Sequence, residues 1–400
     1  MVQDFSNRLD CLGTETAFLV SKDANEFASK GNKVYPFHLG DINITTPKNI
    51  IEKSEFAMKD GKTGYVPSEG IPALRDALAE KLGIERNINL NRDNIIVQPG
   101  GKPVILKFIH SLMDPGDEVL YPNPGYPIYE SQIEYNGGIA KPYSYNLSNS
   151  GFSIDKKQLE NSISSKTKIL VYNNYQNPMG SESSEEEMNW IADFAIQNNL
   201  WVLSDEAYFN IQYSGLPKSI ISIPGMFERT VILYTFSKTY AMTGWRLGAA
   251  VGPKPLMKYF SKLSVNDESC TNHFIQYGGI EALLGDQSGA NYILTKLKKR
   301  RDLLSKKLKQ INGVNLYVPN STFYLFPEIT DIYDKMGAKS YEDFRRKTLL
   351  NTGVAFCTRE HFGRVGDNES KKFIRFAYSG INCDQIDEGI DKLSKFWSQL

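Results

Sequence analysis

Cysteine is scarce in this 400-residue chain: Cys11, Cys270, Cys357 and Cys383 are widely scattered and form no CxxC pair. A disulfide framework and a clustered zinc site are therefore not expected, and no metal is assigned. Charge of either sign is missing in excess, with Lys+Arg 46 against Asp+Glu 46. Nothing in that balance favours nucleic acid or an anionic membrane as a partner. No apolar run reaches the about 20 residues of a membrane span, and the opening Met-Val-Gln-Asp-Phe-Ser-Asn-Arg has no apolar signal core. Internal repeats and low-complexity tracts are also missing. These absences predict a soluble, cytoplasmic protein of a reducing compartment.

What is present is a large core. Apolar residues make up 41% and aromatics 12% of the chain, mostly Tyr and Phe. The length fits one large and one smaller domain. Asn94–Gln98, Glu118–Tyr121, Lys168–Tyr172, Leu200–Ser204 and Thr230–Tyr234 read as short buried strands, and Lys102–Leu112 and Ser183–Asn198 as helices between them. This alternation predicts an α/β fold with a mostly parallel sheet flanked by helices. Ala290–Gln310 reads as a long solvated helix leading into a second domain. There Val314–Val318, Ser321–Phe326, Gly353–Cys357 and Lys372–Tyr378 read as strands, Ser340–Asn351 and Asp384–Trp397 as helices, and Arg364–Lys372 as a mobile polar loop.

The chemistry centres on Thr235-Phe-Ser-Lys238-Thr-Tyr-Ala-Met-Thr-Gly-Trp-Arg246-Leu-Gly248. An amine that forms an imine with an aldehyde cofactor must lose its proton near neutral pH, and nearby positive charge helps it do so. The hydroxyls of Thr235 and Ser237 and the Arg246 guanidinium suit a phosphate. Together they point to pyridoxal 5'-phosphate with Lys238 as the Schiff-base residue. Other parts appear in order along the chain. Gly100-Gly101-Lys102 comes after the first strand and opens a helix, where backbone N–H groups meet a phosphate. Tyr126 offers a ring to stack on the cofactor. Asn177 and Tyr208 offer donors to a phenolate oxygen. Asp205, at a strand end, offers a carboxylate to a pyridine nitrogen. Arg375, a charge inside an apolar strand, needs an anion, and a substrate carboxylate is a bidentate match. Singly, each residue has an ordinary reading as a turn, a cap or a salt bridge; in this order and after these strands they form one site.

With these residues the chain resembles the fold-type I pyridoxal-phosphate enzymes, specifically the class I aminotransferases of the aspartate aminotransferase family, from about Arg8 to the C-terminus. The run Ser-Lys-x-x-x-Met-Thr-Gly-Trp-Arg-x-Gly carries the resemblance most specifically. It implies a large domain with a mostly parallel seven-stranded sheet over residues 46–289. It also implies a smaller α/β domain from residues 1–45, with an N-terminal lid segment, and 290–400. By resemblance, Lys238 forms the imine and shuttles the proton, Asp205 pairs with the pyridine nitrogen, and Asn177 and Tyr208 bind the phenolate oxygen. Gly100, Gly101, Lys102, Thr235, Ser237 and Arg246 lie in the phosphate cup, with Thr235 standing where serine is usual. Arg375 and Gly40 meet the substrate carboxylate. Tyr65 matches a tyrosine lent to the neighbouring subunit's phosphate, and Asn266–Thr271 a segment that crosses the same interface, so a homodimer with shared active sites is implied.

The reaction implied is ping-pong transfer of an amino group from an L-amino acid to a 2-oxo acid. Lys102 favours aspartate or glutamate as donor, with aromatic donors next. Thr14, Glu15 and Thr16 border the substrate in relatives, and Glu15 equally suits a polar or cationic side chain. Arg359 and His361 either line the substrate opening or, as their polar turn favours, lie at the surface. The scaffold leaves open another pyridoxal-phosphate reaction, a β-lyase, decarboxylase or oxygen-using enzyme acting on a polar or basic amino acid.

Overall fold

The computed structural model describes residues 5–13, 17–148, 151–366 and 369–400. Seven strands form the central sheet: β1 (Ile95–Gln98), β2 (Glu118–Pro122), β3 (Ile139–Tyr143), β4 (Thr167–Tyr172), β5 (Trp201–Asp205), β6 (Thr230–Thr235) and β7 (Gly248–Val251). Their order is β1-β7-β6-β5-β4-β2-β3. The pairs β6–β5, β5–β4, β4–β2 and β2–β3 are parallel, while β7 runs antiparallel to both β1 and β6.

The central strands are short runs of β-branched and large apolar residues because both faces are covered. On β6, Ile232 and Tyr234 pack with Leu74, Leu78 and Leu82 of the helix Pro72–Arg86. Its alternate residues Val231 and Leu233 pack on the other face with Val104, Ile105 and Phe108 of the helix Lys102–Leu112. A third cluster joins Leu170 and Val202 to Met188 and Ile191 of the helix Glu185–Gln197. That helix starts where Ser184 accepts the Glu187 N–H, with three glutamates in its first turn facing the positive end of the helix dipole.

A separate three-stranded antiparallel sheet lies beyond it in sequence: β8 (Tyr324–Leu325), β9 (Cys357–Thr358) and β10 (Ile374–Ala377), in the order β8-β10-β9. The helix Ser288–Leu308 is not solvated all round. It buries Ile293, Leu297, Leu304 and Leu308 in a cluster with Ile386, Ile390 and Leu393 of the helix Cys383–Trp397. Two expected strands differ. Val314–Val318 is not a strand: Asn315 exchanges both backbone hydrogen bonds with Glu328, an isolated bridge, while Val314 and Leu316 pack on the core through side chains. Gly353–Cys357 breaks at Phe356, because Val354–Ala355 pairs in parallel with Tyr35–Pro36 and Cys357–Thr358 turns to pair with β10. The same core gathers Tyr175, Tyr208 and Phe209, which come after central-sheet strands, with Phe323, just before the smaller sheet, and Tyr324 and Phe376 within it. Among the described residues, no helix is long and apolar enough to cross a membrane.

Candidate active site

Three of the residues singled out by sequence, Asn177, Asp205 and Lys238, follow or end β4, β5 and β6 at their C-terminal ends, where parallel sheets present their loops. Asp205 is the last residue of β5 and is buried. No helix begins there, so it is not a helix cap. Its Oδ1 accepts the Ala207 N–H at 3.1 Å and its Oδ2 accepts the Tyr129 hydroxyl. Burial pushes the Asp205 carboxyl up, while the Tyr129 and Ala207 donors and the Lys238 charge pull it back down. The adjacent Glu206 is already engaged. Arg86 pairs with it at 2.7 Å, with both side chains buried, and the Arg86 guanidinium lies 3.9 Å over the Phe209 ring. Of the Asp-Glu pair, Asp205 faces the site.

Lys238 reaches across it. Its Nζ donates to the Gly40 carbonyl at 3.0 Å and lies 5.7 Å from the centre of the Phe323 ring. Below it, the Thr235 and Ser237 hydroxyls meet at 2.9 Å and the Ser237 N–H donates to Thr235 Oγ1. Arg246 sits in the left-handed region, φ 56°. Its guanidinium donates to the Thr243 carbonyl at 2.8 Å and the Pro99 carbonyl at 3.3 Å. Gly100 has φ 99°, and a Cβ there would come within 2.1 Å of Arg246 Nη2. Gly101 precedes the helix Lys102–Leu112 at its N-terminus. Two hydroxyls, a guanidinium with no carboxylate partner among the described residues and a helix N-terminus thus share one cradle. That donor set fits a doubly charged phosphate.

Arg375 lies on β10 and is buried. Nη1 donates to Asn177 Oδ1 at 2.9 Å and Nη2 to the His38 carbonyl at 2.6 Å. The guanidinium stacks 4.5 Å over Tyr324 and 4.6 Å over Phe362, and Nε has no partner. The Asn177 oxygen is thereby occupied and its NH2 remains a donor. The Tyr208 hydroxyl meets the Tyr324 hydroxyl at 2.6 Å, and burial pushes its phenol well above the usual range. Tyr126 packs edge-on to Tyr129, with Lys102 Nζ 5.8 Å from the Tyr126 ring centre. Tyr65 is 90% exposed and stands apart from these groups. Thr14, Glu15 and Thr16 lie outside the described residues.

The expectation that Arg359 is a surface residue is corrected. Arg359 is 2% exposed and donates to Glu369 at 2.8 Å, to Asn123 at 2.9 Å and to the Gly363 carbonyl. Its partners are internal, so it is not offered to substrate. His361 is half-buried and bonded through Nδ1 to Thr358. Its imidazole is lowered to about 4 by burial and then by Arg345. Sequence reasoning did not find Tyr129, Tyr324 or His38. The tyrosines sit in a helix and an apolar strand, where an aromatic reads as core, and the structure alone shows their hydroxyls in the site. His38 is lowered to about 4 by burial and by Arg375, and its Nε2 meets Ser21 Oγ at 3.1 Å.

Comparison with known proteins agrees with this geometry. The family model for aminotransferase class I and II matches residues 34–393. An aspartate aminotransferase of Musicola paradisiaca is 32% identical over 381 residues, covering 95% of this chain and 93% of its own. The solved aspartate aminotransferase of Thermus thermophilus with maleate superposes with a TM-score of 0.89 at 26% identity, covering 98% of this chain and 100% of the other. The alanine aminotransferase of Pyrococcus furiosus gives a TM-score of 0.91 at 26% identity, covering 99% and 100%. A cradle suited to phosphate, a lysine above it and a family match along nine-tenths of its length agree: the chain belongs to the class I and II aminotransferases and uses pyridoxal 5'-phosphate to move amino groups.

Proposed function

We propose that this aminotransferase takes aspartate or glutamate as donor and a 2-oxo acid as acceptor, and works as a cytoplasmic homodimer. The observation that carries the substrate class is the pair of cations flanking the site. Arg375 is buried with a free Nε and no carboxylate partner among the described residues. Lys102 lies beside the Tyr126 ring. A dicarboxylic amino acid places its α-carboxylate on Arg375 and carries its second carboxylate toward the Lys102 side of the site. The name of the Musicola paradisiaca relative supports the same class.

The cofactor, when bound, supplies an electron sink that lets a proton leave the carbon bearing the amino group. The residues of the chain supply the rest. Gly100, Gly101, Thr235, Ser237 and Arg246 hold the phosphate, and Tyr65 reaches the partner subunit's cradle. Asp205 keeps a proton on the ring nitrogen, Asn177 and Tyr208 donate to the phenolate oxygen, and Tyr126 stacks on the ring. Lys238 Nζ moves the proton. Arg375 orients the α-carboxylate, with the Gly40 backbone beside it. Residues 46–289 form the large domain. Residues 1–45 and 290–400 form the small one, which closes over the substrate and excludes water.

The test is a half-reaction: holoenzyme mixed with one amino acid and no acceptor. Aspartate or glutamate should release one oxo acid per site faster than alanine or phenylalanine does. Lys102→Ala should raise KM for aspartate by roughly 10- to 100-fold, the loss of one charge-assisted hydrogen bond, and leave KM for alanine unchanged. An unchanged KM for aspartate removes the acidic-substrate reading. Light scattering at twice the chain mass checks the dimer.

A further inference from the structure

Tyr324 belongs to the smaller sheet, yet its hydroxyl lies in the site. It is 2% exposed, and β8 is held in register by Tyr324 opposite Ala377. Its ring is wedged edge-on between Tyr208, at 5.4 Å, and Phe323, at 4.8 Å. The Arg375 guanidinium covers one ring face at 4.5 Å. The hydroxyl itself has little freedom. It lies 2.6 Å from the Tyr208 hydroxyl, and a Cβ added to Gly40 would come within 2.3 Å of it. Gly40 is also the residue whose carbonyl holds Lys238 Nζ.

Each phenol carries one proton. Two phenols at 2.6 Å share one hydrogen bond, so one of them is the donor. When Tyr208 gives its proton to the phenolate oxygen of the cofactor, it has none left for Tyr324. The bond between the tyrosines must then be donated by Tyr324. We infer that Tyr324 is a positioning residue for the aminotransferase reaction: by donating to Tyr208 it turns the single Tyr208 proton toward the cofactor and makes Tyr208 a stronger donor. This rests on the proposed role of Tyr208.

Two physical effects act in the same direction. A phenol that accepts a hydrogen bond donates a stronger one, because the chain polarises. A cation over the Tyr324 ring withdraws electron density from it, and the Tyr324 hydroxyl donates better for that. Tyr324 thereby makes one unit of a carboxylate-binding arginine on the smaller sheet and a phenolate-binding tyrosine after β5.

The experiment reads the proton on the Lys238 nitrogen once it is joined to the cofactor. A donor at the phenolate oxygen favours the form in which that proton has left, because the oxygen is then more negative. Losing donor strength raises the pH midpoint of the visible band of resting holoenzyme, with no amino acid present. Chain polarisation of roughly 10–30% in one hydrogen bond to a charged acceptor corresponds to an upward shift of roughly 0.2–0.6 unit for Tyr324→Phe. This variant keeps the ring, and with it the stacking on Arg375. Thermal melting checks that the fold is unchanged.

The Tyr208→Phe background decides the matter. Tyr208→Phe should raise the midpoint further than Tyr324→Phe does, and Tyr324→Phe should add nothing on top of it. A Tyr324→Phe shift of equal size in both backgrounds, or none in the wild type, overturns the proposal while leaving Tyr208 in its role. A Tyr208→Phe variant with an unmoved midpoint removes the role of Tyr208 and the proposal with it.

Discussion

Arg359 and Arg375 lie close together, one just past β9 and the other on β10, and both are buried. Their surroundings differ in one respect. Arg359 has a carboxylate of its own, Glu369, and its remaining donors go to Asn123 and backbone carbonyls. Arg375 has neutral acceptors in Asn177 and His38, aromatic faces on two sides and an unused Nε. A buried guanidinium without an anion is a costly arrangement unless something outside the chain completes it. The comparison teaches that burial and charge together do not single out a candidate binding arginine. The lack of a counter-ion among the described residues does. Arg345, paired with Asp23 and Glu342, and Arg86, paired with Glu206, fall on the structural side of the same line.

The largest expected effect breaks the comparison at Arg375. Arg375→Met should cut kcat/KM by roughly 30- to 4,000-fold, the range for truncating one side of a buried charge pair. Its stability should stay within about 1 kcal/mol of wild type, since no carboxylate among the described residues is stranded; urea unfolding alongside steady-state kinetics shows both. Arg359→Met should do the reverse to stability, costing about 2 kcal/mol. That is less than a fully buried pair because Glu369 keeps some water; the same urea titration measures it. A loss of stability at Arg375 equal to that at Arg359 would erase the distinction.

A smaller effect sharpens the comparison through pH. His38 sits beside Arg375, and burial first and Arg375 second lower it to about 4. Unfolded histidine titrates near 6.5, so between about 6.5 and 4 the unfolded chain binds the extra proton. Stability is fully present above about 6.5 and falls as the solution is acidified, by about 2 kcal/mol from this one residue by pH 5. His361 acts in the same direction. In Arg375→Met the His38 midpoint should move up, because one of its causes is gone, and the acid loss should shrink; melting temperatures at pH 5 and 7.5 for the two proteins test this.

Much of the candidate site's placement was legible in the sequence because its residues come at or near strand ends. Lys238, Asp205, Asn177 and Arg375 each come just after or lie in a short apolar run, and a period-two or fully buried strand fixes where the residues at its end are delivered. Less was legible where pairing is long-range. β7 is Gly-Ala-Ala-Val, small residues with weak strand preference, and its place between β1 and β6 comes from neighbours distant in sequence. Val314–Val318 has the right residues for a strand but finds a single bridge partner. The hydroxyls of Tyr129 and Tyr324 were invisible because nothing in sequence separates a tyrosine that fills a core from one whose oxygen reaches a carboxylate or another phenol. Arg359 was misplaced for the converse reason: its counter-ion Glu369 lies across a loop, and only the folded chain brings them together.

The position of β7 also sets an order of events during synthesis. β1 has β7 as its sheet neighbour, and β7 is made roughly 150 residues later, a long-range pairing of the slow kind. At ribosomal speeds of about 5–20 residues per second, β1 waits roughly 8–30 seconds for it, while β2 to β6 already have parallel neighbours to join. Arg246, just before β7, and Gly100, just past β1, meet in that last step. The cradle that fits a phosphate thus joins residues about 150 positions apart through the pairing of β7 with β1.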